Sequence, residues 1–325
     1  MITGTNSRRA LLLALVVVVL VGGQLAVPGF AGGGQLENQV KIAAFLGLFG
    51  LCQTVAMMSG GQGLDLSIGA TATLGGILGA AVMGPGAAGL LLALATALVC
   101  GVIVGLVNGA GITLFKVPPL VMTLATASLI DGGLIVWSSM MQVNTAATPT
   151  LVALTGGSVA GLPRLSVLWI MVAIVVWYLI ERSAWGRGLM ATGANPDAAY
   201  LSGARVRLIR VAAYVISASI AALTGVLLVG YVGQAFLGLG SSYLLTSVVV
   251  AVIGGVSLAG GRGDYVAVVI AALFLTVLTS LLTALQIEEA GRQCIFGATL
   301  LAFLAINGLP GASRALWLRR LRHGA

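Results

Sequence analysis

Residues 11–21 read Leu11-Leu12-Leu13-Ala14-Leu15-Val16-Val17-Val18-Val19-Leu20-Val21, with Arg8 and Arg9 just before them. A membrane barrel strand alternates polar and apolar residues over roughly ten positions; this stretch is apolar on every side. It reads as a helix surrounded by lipid, and it is the first of a series. Runs of similar character are expected at about 10–27, 39–58, 64–83, 87–108, 118–138, 166–181, 210–231, 242–259, 265–286 and 292–308. Most approach the ~20 apolar residues that cross a bilayer as a helix. The expected fold is therefore all-α, a polytopic membrane protein of about ten transmembrane helices forming one domain over residues 1–325. The first run is longer than the h-region of a signal peptide, which reaches about 15 residues, so it is read as an uncleaved helix.

Composition supports this reading. Of 325 residues, 59% are hydrophobic and 7% charged, against about 25% charged in a soluble domain, and no room is left for a sizeable soluble catalytic domain. The net charge of +8 has an explanation other than nucleic acid. With a cytoplasmic N-terminus the inner loops hold Arg8, Arg9, Lys116, Arg182, Arg187, Arg205, Arg207, Arg210, Arg262, Arg314, Arg319, Arg320 and Arg322. The outer side then holds only Lys41, Arg164 and Arg292, together with the acidic Glu37, Glu288 and Glu289. That asymmetry follows the positive-inside rule and predicts a bacterial inner-membrane protein with both termini cytoplasmic, including a basic tail over about 309–325.

Several chemistries have no residues to perform them. There is no G-x-x-x-x-G-K-[ST] phosphate loop, and neither Lys41 nor Lys116 follows a glycine, so ATP hydrolysis is not expected on this chain. The only histidine, His323, lies in the tail, which argues against zinc hydrolysis and intramembrane histidine relays. Cys52, Cys100 and Cys294 lack metal or redox spacing and read as small core residues. No metal or bound cofactor is expected.

The inner loop over about 182–209 contains Asn195-Pro196-Asp197, a helix start. Asn accepts a backbone N–H as N-cap, Pro is tolerated at the first helical position, and Asp favours the positive end of the helix dipole. Gly203 supplies a stop. So short a helix is not stable alone; it rests either on the protein's own inner face or on a cytoplasmic partner. In the spans two carboxylates stand out. Asp65 lies at the expected inner start of a run, where capping by Asp65 or Ser67 outranks ligand contact. Asp131 lies ~20 Å along its helix from Pro118, where an acid should line a pathway or reach the outer interface.

At this point the sequence resembles a family. Gly60-Gly61-Gln62-Gly63-Leu64-Asp65-Leu66-Ser67-Ile68-Gly69 looks like the G-G-x-D-L-S-x-G segment of permease subunits of bacterial ATP-binding-cassette sugar importers of the ribose, xylose and arabinose group. Three more segments follow in that family's order. The first is Val117-Pro118-Pro119 with Thr123-Leu124-Ala125-Thr126. The next runs from Gly186-Arg187 through Gly193-Ala194-Asn195-Pro196-Asp197-Ala198-Ala199 to Leu201-Ser202-Gly203. The last is Ile253-Gly254-Gly255 with Ser257-Leu258-Ala259-Gly260-Gly261-Arg262-Gly263. An ordered set over roughly residues 40–308 is far more specific than any one motif.

The resemblance implies a permease that works with a second copy or a related permease. It also implies an extracytoplasmic solute-binding protein and a cytoplasmic ATPase that carries the ATP and magnesium. It further implies that Gly193, Asn195, Pro196, Asp197, Ala198, Ala199, Leu201, Ser202 and Gly203 form the helix that couples ATPase closure to the spans. Gly61, Gly254 and Gly255 read as irregular turns, tolerable in a membrane only when buried in protein or facing water. A sugar path favours hydroxyls, amides and aromatic edges. The candidates are Thr123 and Thr126, which share a helix face, with Asn108, Asp131, Gln234, Tyr243 and Thr246. Arg182, Arg187, Arg205, Arg207 and Arg210 read as anchors toward membrane lipid or contacts to the ATPase. Two departures bear on the solute: Tyr243-Leu244-Leu245-Thr246-Ser247 lacks the acids of Y-E-L-D-A, and Asp131 replaces Arg or Gln. A cassette importer of branched-chain amino acids and a self-sufficient secondary transporter are the alternatives.

Overall fold

The computed structural model describes residues 5–140, 145–159 and 161–307; the basic tail expected over 309–325 lies outside them. The described residues form thirteen helices and one two-residue-strand hairpin. Ten helices follow the ten apolar runs: α1 (Thr5–Ala26), α2 (Gly33–Met58), α3 (Ile68–Val82), α4 (Gly86–Thr113), α5 (Pro119–Met140), α7 (Arg164–Arg182), α10 (Val206–Val232), α11 (Tyr243–Ile253), α12 (Tyr265–Ala284) and α13 (Glu289–Asn307). Between α5 and α7 lie α6 (Pro149–Gly156) and the hairpin of β1 (Ser158–Val159) and β2 (Leu162–Pro163). Between α7 and α10, the loop expected on the inner side folds into α8 (Ala184–Ala194) and α9 (Pro196–Leu201).

Ten complete spans are not reached. Seven helices are long and apolar enough to cross a membrane: α1, α2, α4, α5, α7, α10 and α12. α3 and α11, of 15 and 11 residues, rise only ~22 and ~16 Å, short of a ~30 Å hydrocarbon core. α13 carries Glu289 and Arg292 at its start. The shortfall in α3 and α11 has a local cause, since non-helical segments take up the rest of each run. Residues 59–67 precede α3, and α11 stops at the Gly254-Gly255 turn, where Gly255 has φ +88°.

Small residues set the packing. Gly101, Gly105 and Gly109 recur every four residues along α4 and meet the backbone of α10 at Ser219, Val215 and Val211. On α3, Gly75 abuts Ala222 of the same helix. Helices associate in lipid through such close approach, because burial of apolar surface gives no advantage there. α2 is buried without interruption from Ala43 to Met58 and forms the centre. α1, α4, α5 and α7 turn large apolar side chains outward, among them Val18, Leu91, Leu129 and Ile174, as lipid-facing helices must.

α1 is pinned by a long-range ion pair. Arg9 donates from Nε and Nη2 to Asp264, both at 2.8 Å. Asp264 also accepts from Val266 N and Ala267 N, so it caps α12 as well. Next to it, at the start of α12, Trp169 donates to Tyr265, whose hydroxyl donates to Gly47 O, tying α7, α12 and α2 together.

Candidate translocation site

α9 forms as its capping residues dictate. Asn195 Oδ1 accepts from Asp197 N and Ala198 N at 3.1 and 3.0 Å, Pro196 occupies the first turn, and Gly203 follows with φ +85°. Ala199 is buried, while Tyr200 and Leu201 are 72% and 85% exposed. One face is seated and the other presents two large apolar side chains outward. Ser202 donates back to Ala198 O, closing the helix.

The helix pair α8–α9 is held to the core by buried side chains, Leu189 and Ala199 among them, and by close backbone contact. Gly193, at the end of α8, lies against Met58 O and Gly261, and Gly261 N donates to Met58 O at 3.2 Å. A Cβ on Gly60 would sit 2.6 Å from the Gly193 Cα, closer than real Cβ contacts allow. Thus the turn after α2, the end of α8 and the turn before α12 meet at one glycine junction. Three of the four sequence segments quoted above converge there.

The short helices α3 and α11 give the site its shape. Asp65, preceding α3, is fully buried and faces α10: Oδ2 accepts from Ser217 Oγ at 2.9 Å. Ser217 lies eleven residues into α10, or ~16 Å from its start and ~22 Å from its end. Asp65 is therefore inside the helix bundle, level with the middle third of α10, because residues 59–67 run into the bundle before α3 begins. The expected cap also differs. Asp65 Oδ1 accepts from Ser67 N and Ser67 Oγ at 3.0 and 2.6 Å, within the turn, and neither side chain bonds an N–H of α3. Gly61 lies in the same turn, at φ +66°.

From Ser67 the bonds continue outward. Asn108 Nδ2 donates to Ser67 Oγ at 2.9 Å, and Thr126 Oγ1 donates to Asn108 Oδ1 at 2.7 Å. Thr123 Oγ1 accepts from Leu66 N at 3.0 Å and donates to Pro119 O at 2.9 Å. Asn108, Thr123 and Thr126 are thus buried and mutually satisfied, joining α4, α5, α10 and the turn before α3. None of the three lines either cavity described below in this conformation. Hydroxyls and amides in an apolar bundle bond one another because no water competes.

Asp131 is placed differently. It lines a cleft of about 320 Å³ with Gly69, Thr73, Ala127, Gly238 and Ser241, bounded by α3, α5 and the segment leading into α11. Both interrupted helices begin at this cleft, so their positive dipole ends lie toward it; at α11 the Tyr243 and Leu244 N–H groups are already bonded, to Gly240 O and Ser241 O. Asp131 is the only charged residue among those lining it. Among the described residues it has no hydrogen-bond or ion-pair partner. Thr73 Oγ1 is occupied, donating to Gly69 O and accepting from Gly240 N. Ser241 Oγ donates to Gly238 O and keeps its acceptor capacity.

Three other expected path residues lie elsewhere. The Tyr243 ring stacks on Phe49 at 4.7 Å, in the core; one residue is ~100° of helix turn, so Leu244 meets the cleft instead. Thr246 donates to Ser242 O within its own helix. Gln234 sits in a backbone bridge with Ala146. Conversely, Ser217, Thr73 and Ser241 take part in the site without any sequence signal: each is a small hydroxyl residue in an apolar run, with another hydroxyl one or two positions away.

Comparison with known proteins follows the same lines. The chain is 28% identical over 315 residues to the autoinducer 2 import system permease protein LsrC of Shigella flexneri, covering 95% of this chain and 90% of that protein. It is 27% identical over 323 residues to the protein of the same description from Salmonella paratyphi B, covering 98% and 91%. It is 28% identical over 315 residues to that of Escherichia coli O9:H4, covering 95% and 90%. No solved structure matches. A family model described as branched-chain amino acid transport system / permease component matches residues 36–304, and the chain belongs to that permease family.

Proposed function

We propose that this chain is the membrane permease of an ATP-driven bacterial importer for a neutral, sugar-like solute, autoinducer 2 or a related polyol. The observation that carries the reading is the near full-length match to permease proteins of autoinducer 2 import systems, joined to the chemistry of the Asp131 cleft. A carboxylate beside helix N-termini offers both acceptors and donors, as a polyhydroxylated solute requires. Its volume of about 320 Å³ lies at the small end of ligand sites. A zwitterionic amino acid would also need a cation for its own carboxylate, and no basic residue lines the cleft. The polyol is favoured over the branched-chain amino acid on that ground.

The division of labour follows. A solute-binding protein delivers from outside, a second permease copy or a related permease completes the membrane unit, and a cytoplasmic ATPase supplies ATP and magnesium. Both termini lie in the cytoplasm, which puts α9 on the ATPase side. The exposed Tyr200 and Leu201 dock into the ATPase, and the glycine junction passes its motion to α2 and α12 as one rigid lever. The Asp65–Ser67–Asn108–Thr126 chain closes the inner half of the path until that motion separates α4 and α5 from α10. Replacing residues 195–202 by a flexible linker is expected to abolish ATP-dependent uptake of labelled autoinducer 2 while the chain still inserts; uptake at the original rate would remove the coupling role.

A further inference from the structure

A second and larger cavity, about 1160 Å³, opens where α4 ends, α5 and α10 begin and α9 forms one wall. Its charges are unbalanced: Lys116, Arg205, Arg207 and Arg210 line it against the single carboxylate of Asp197. Among the described residues none of the four cations is in an ion pair. Like charges gathered in a concave, partly apolar site raise the local potential and draw in anions.

Two further observations point to a ligand. Lys116, in the turn that follows α4, adopts φ +57°, and the next residue, Val117, donates from its N–H to Gly111 O. That left-handed position after a helix is one glycine fills without strain, yet a lysine holds it, at the cleft wall. Tyr214, one helix wall of the cleft, is 1% exposed, and its hydroxyl has no hydrogen-bond partner. It lies ~12 Å along α10 from Val206. A buried hydroxyl left unsatisfied is costly, and an acceptor oxygen entering the cleft would satisfy it.

We propose that this cleft is a binding site for a phosphate group, whose several acceptor oxygens suit the Arg207 guanidinium fork, the terminal Nη groups of Arg210, whose Nε donates to Ser59 O at 3.2 Å, the Lys116 ammonium and the Tyr214 hydroxyl together. The cleft opens at the ends of three spans, the depth of phospholipid headgroups, so the phosphate is supplied either by an anionic lipid or by a free phosphate ester. The inference does not depend on the solute assigned to the Asp131 cleft.

The test uses the full chain, purified in neutral detergent and reconstituted in phosphatidylcholine with and without phosphatidylglycerol, with retained lipid measured by mass spectrometry. Binding of inorganic phosphate is titrated in parallel. Lys116→Gly combined with Arg207→Ala removes two charges, and the glycine relaxes the backbone, so the variant folds. It is expected to lower phosphate-group binding about tenfold or more, and Tyr214→Phe to lower it less. Arg182→Ala with Arg187→Ala, of equal charge loss outside the cleft, is expected to leave binding unchanged. Enrichment of phosphatidylglycerol that follows this pattern identifies a lipid headgroup. Saturable inorganic phosphate binding with the pattern and without lipid preference identifies a free phosphate ester. Equal losses in both double variants, no loss in the cleft variant, or no binding of either probe would overturn the site.

Discussion

Asp131 stands alone in a cleft, while the other intramembrane acid, Asp65, is fully bonded, and the two therefore respond differently to substitution. Asp131→Asn keeps the size and removes the charge, exchanging charge-assisted hydrogen bonds of roughly 1.5–3 kcal/mol for neutral ones of about 1. A rise of about tenfold in the Km for solute uptake is expected, with little change in the melting temperature of the purified chain; wild-type uptake kinetics would demote Asp131 to an interface residue. Asn108→Ala acts in the opposite way. It removes the amide that links Ser67 to Thr126, while each hydroxyl keeps its other bond, to Asp65 and to Met122 O; losing two bonds at about 0.5–1.5 kcal/mol each is expected to lower the melting temperature. Asp131 was legible from the sequence because a lone acid in an apolar run is conspicuous. Its partners in the cleft were not, since Thr73 and Ser241 look like any membrane hydroxyl. Tyr243 misled for a related reason: nothing local to an aromatic residue tells which side of a helix start it faces.

At the scale of elements, local capping signals specify α9 but not the start of α3, where Asp65 bonds Ser67 within the turn and neither caps the helix. Asn195-Pro196-Asp197 and Gly203 specify α9 through capping bonds spanning two or three residues. By contrast the Arg9–Asp264 pair joins positions 255 residues apart and leaves no trace in either neighbourhood. Hydropathy also fails where a run is apolar throughout but helical only in part, as in α3 and α11. Their glycine turns pointed to irregular backbone, and its depth became visible only through the bond between Asp65 and Ser217. The glycine junction is the element-scale feature most open to test. In Gly193→Ala the new Cβ meets the backbone at Met58 and Gly261, which cannot move aside as a flexible side chain would. Overpacking of this kind costs about 1–3 kcal/mol. The expected outcome is a lower melting temperature and ATP hydrolysis no longer stimulated by solute; unchanged coupling in this variant would mean that α8–α9 does not transmit motion through the junction.

The whole molecule is organised around two interrupted helices. Seven long spans enclose α3 and α11, whose starts meet beside Asp131 near the middle of the membrane, and a bonded polar layer separates that cleft from the larger basic one. Transporter sites built from broken helices at mid-membrane follow a general logic, in which irregular backbone is tolerated only where protein or a cavity receives it. The membership of a permease family was legible because four motifs recur in a fixed order over most of the chain. The partners were implied by that resemblance and by the missing phosphate loop, and they form the central claim. Purification of the chain from its native membranes in mild detergent, with mass spectrometry of the retained proteins, tests it directly. The account predicts recovery of an ATPase bearing phosphate-loop motifs, lost when residues 195–202 are replaced by a linker. A homo-oligomer that retains no ATPase and transports solute without ATP would contradict it.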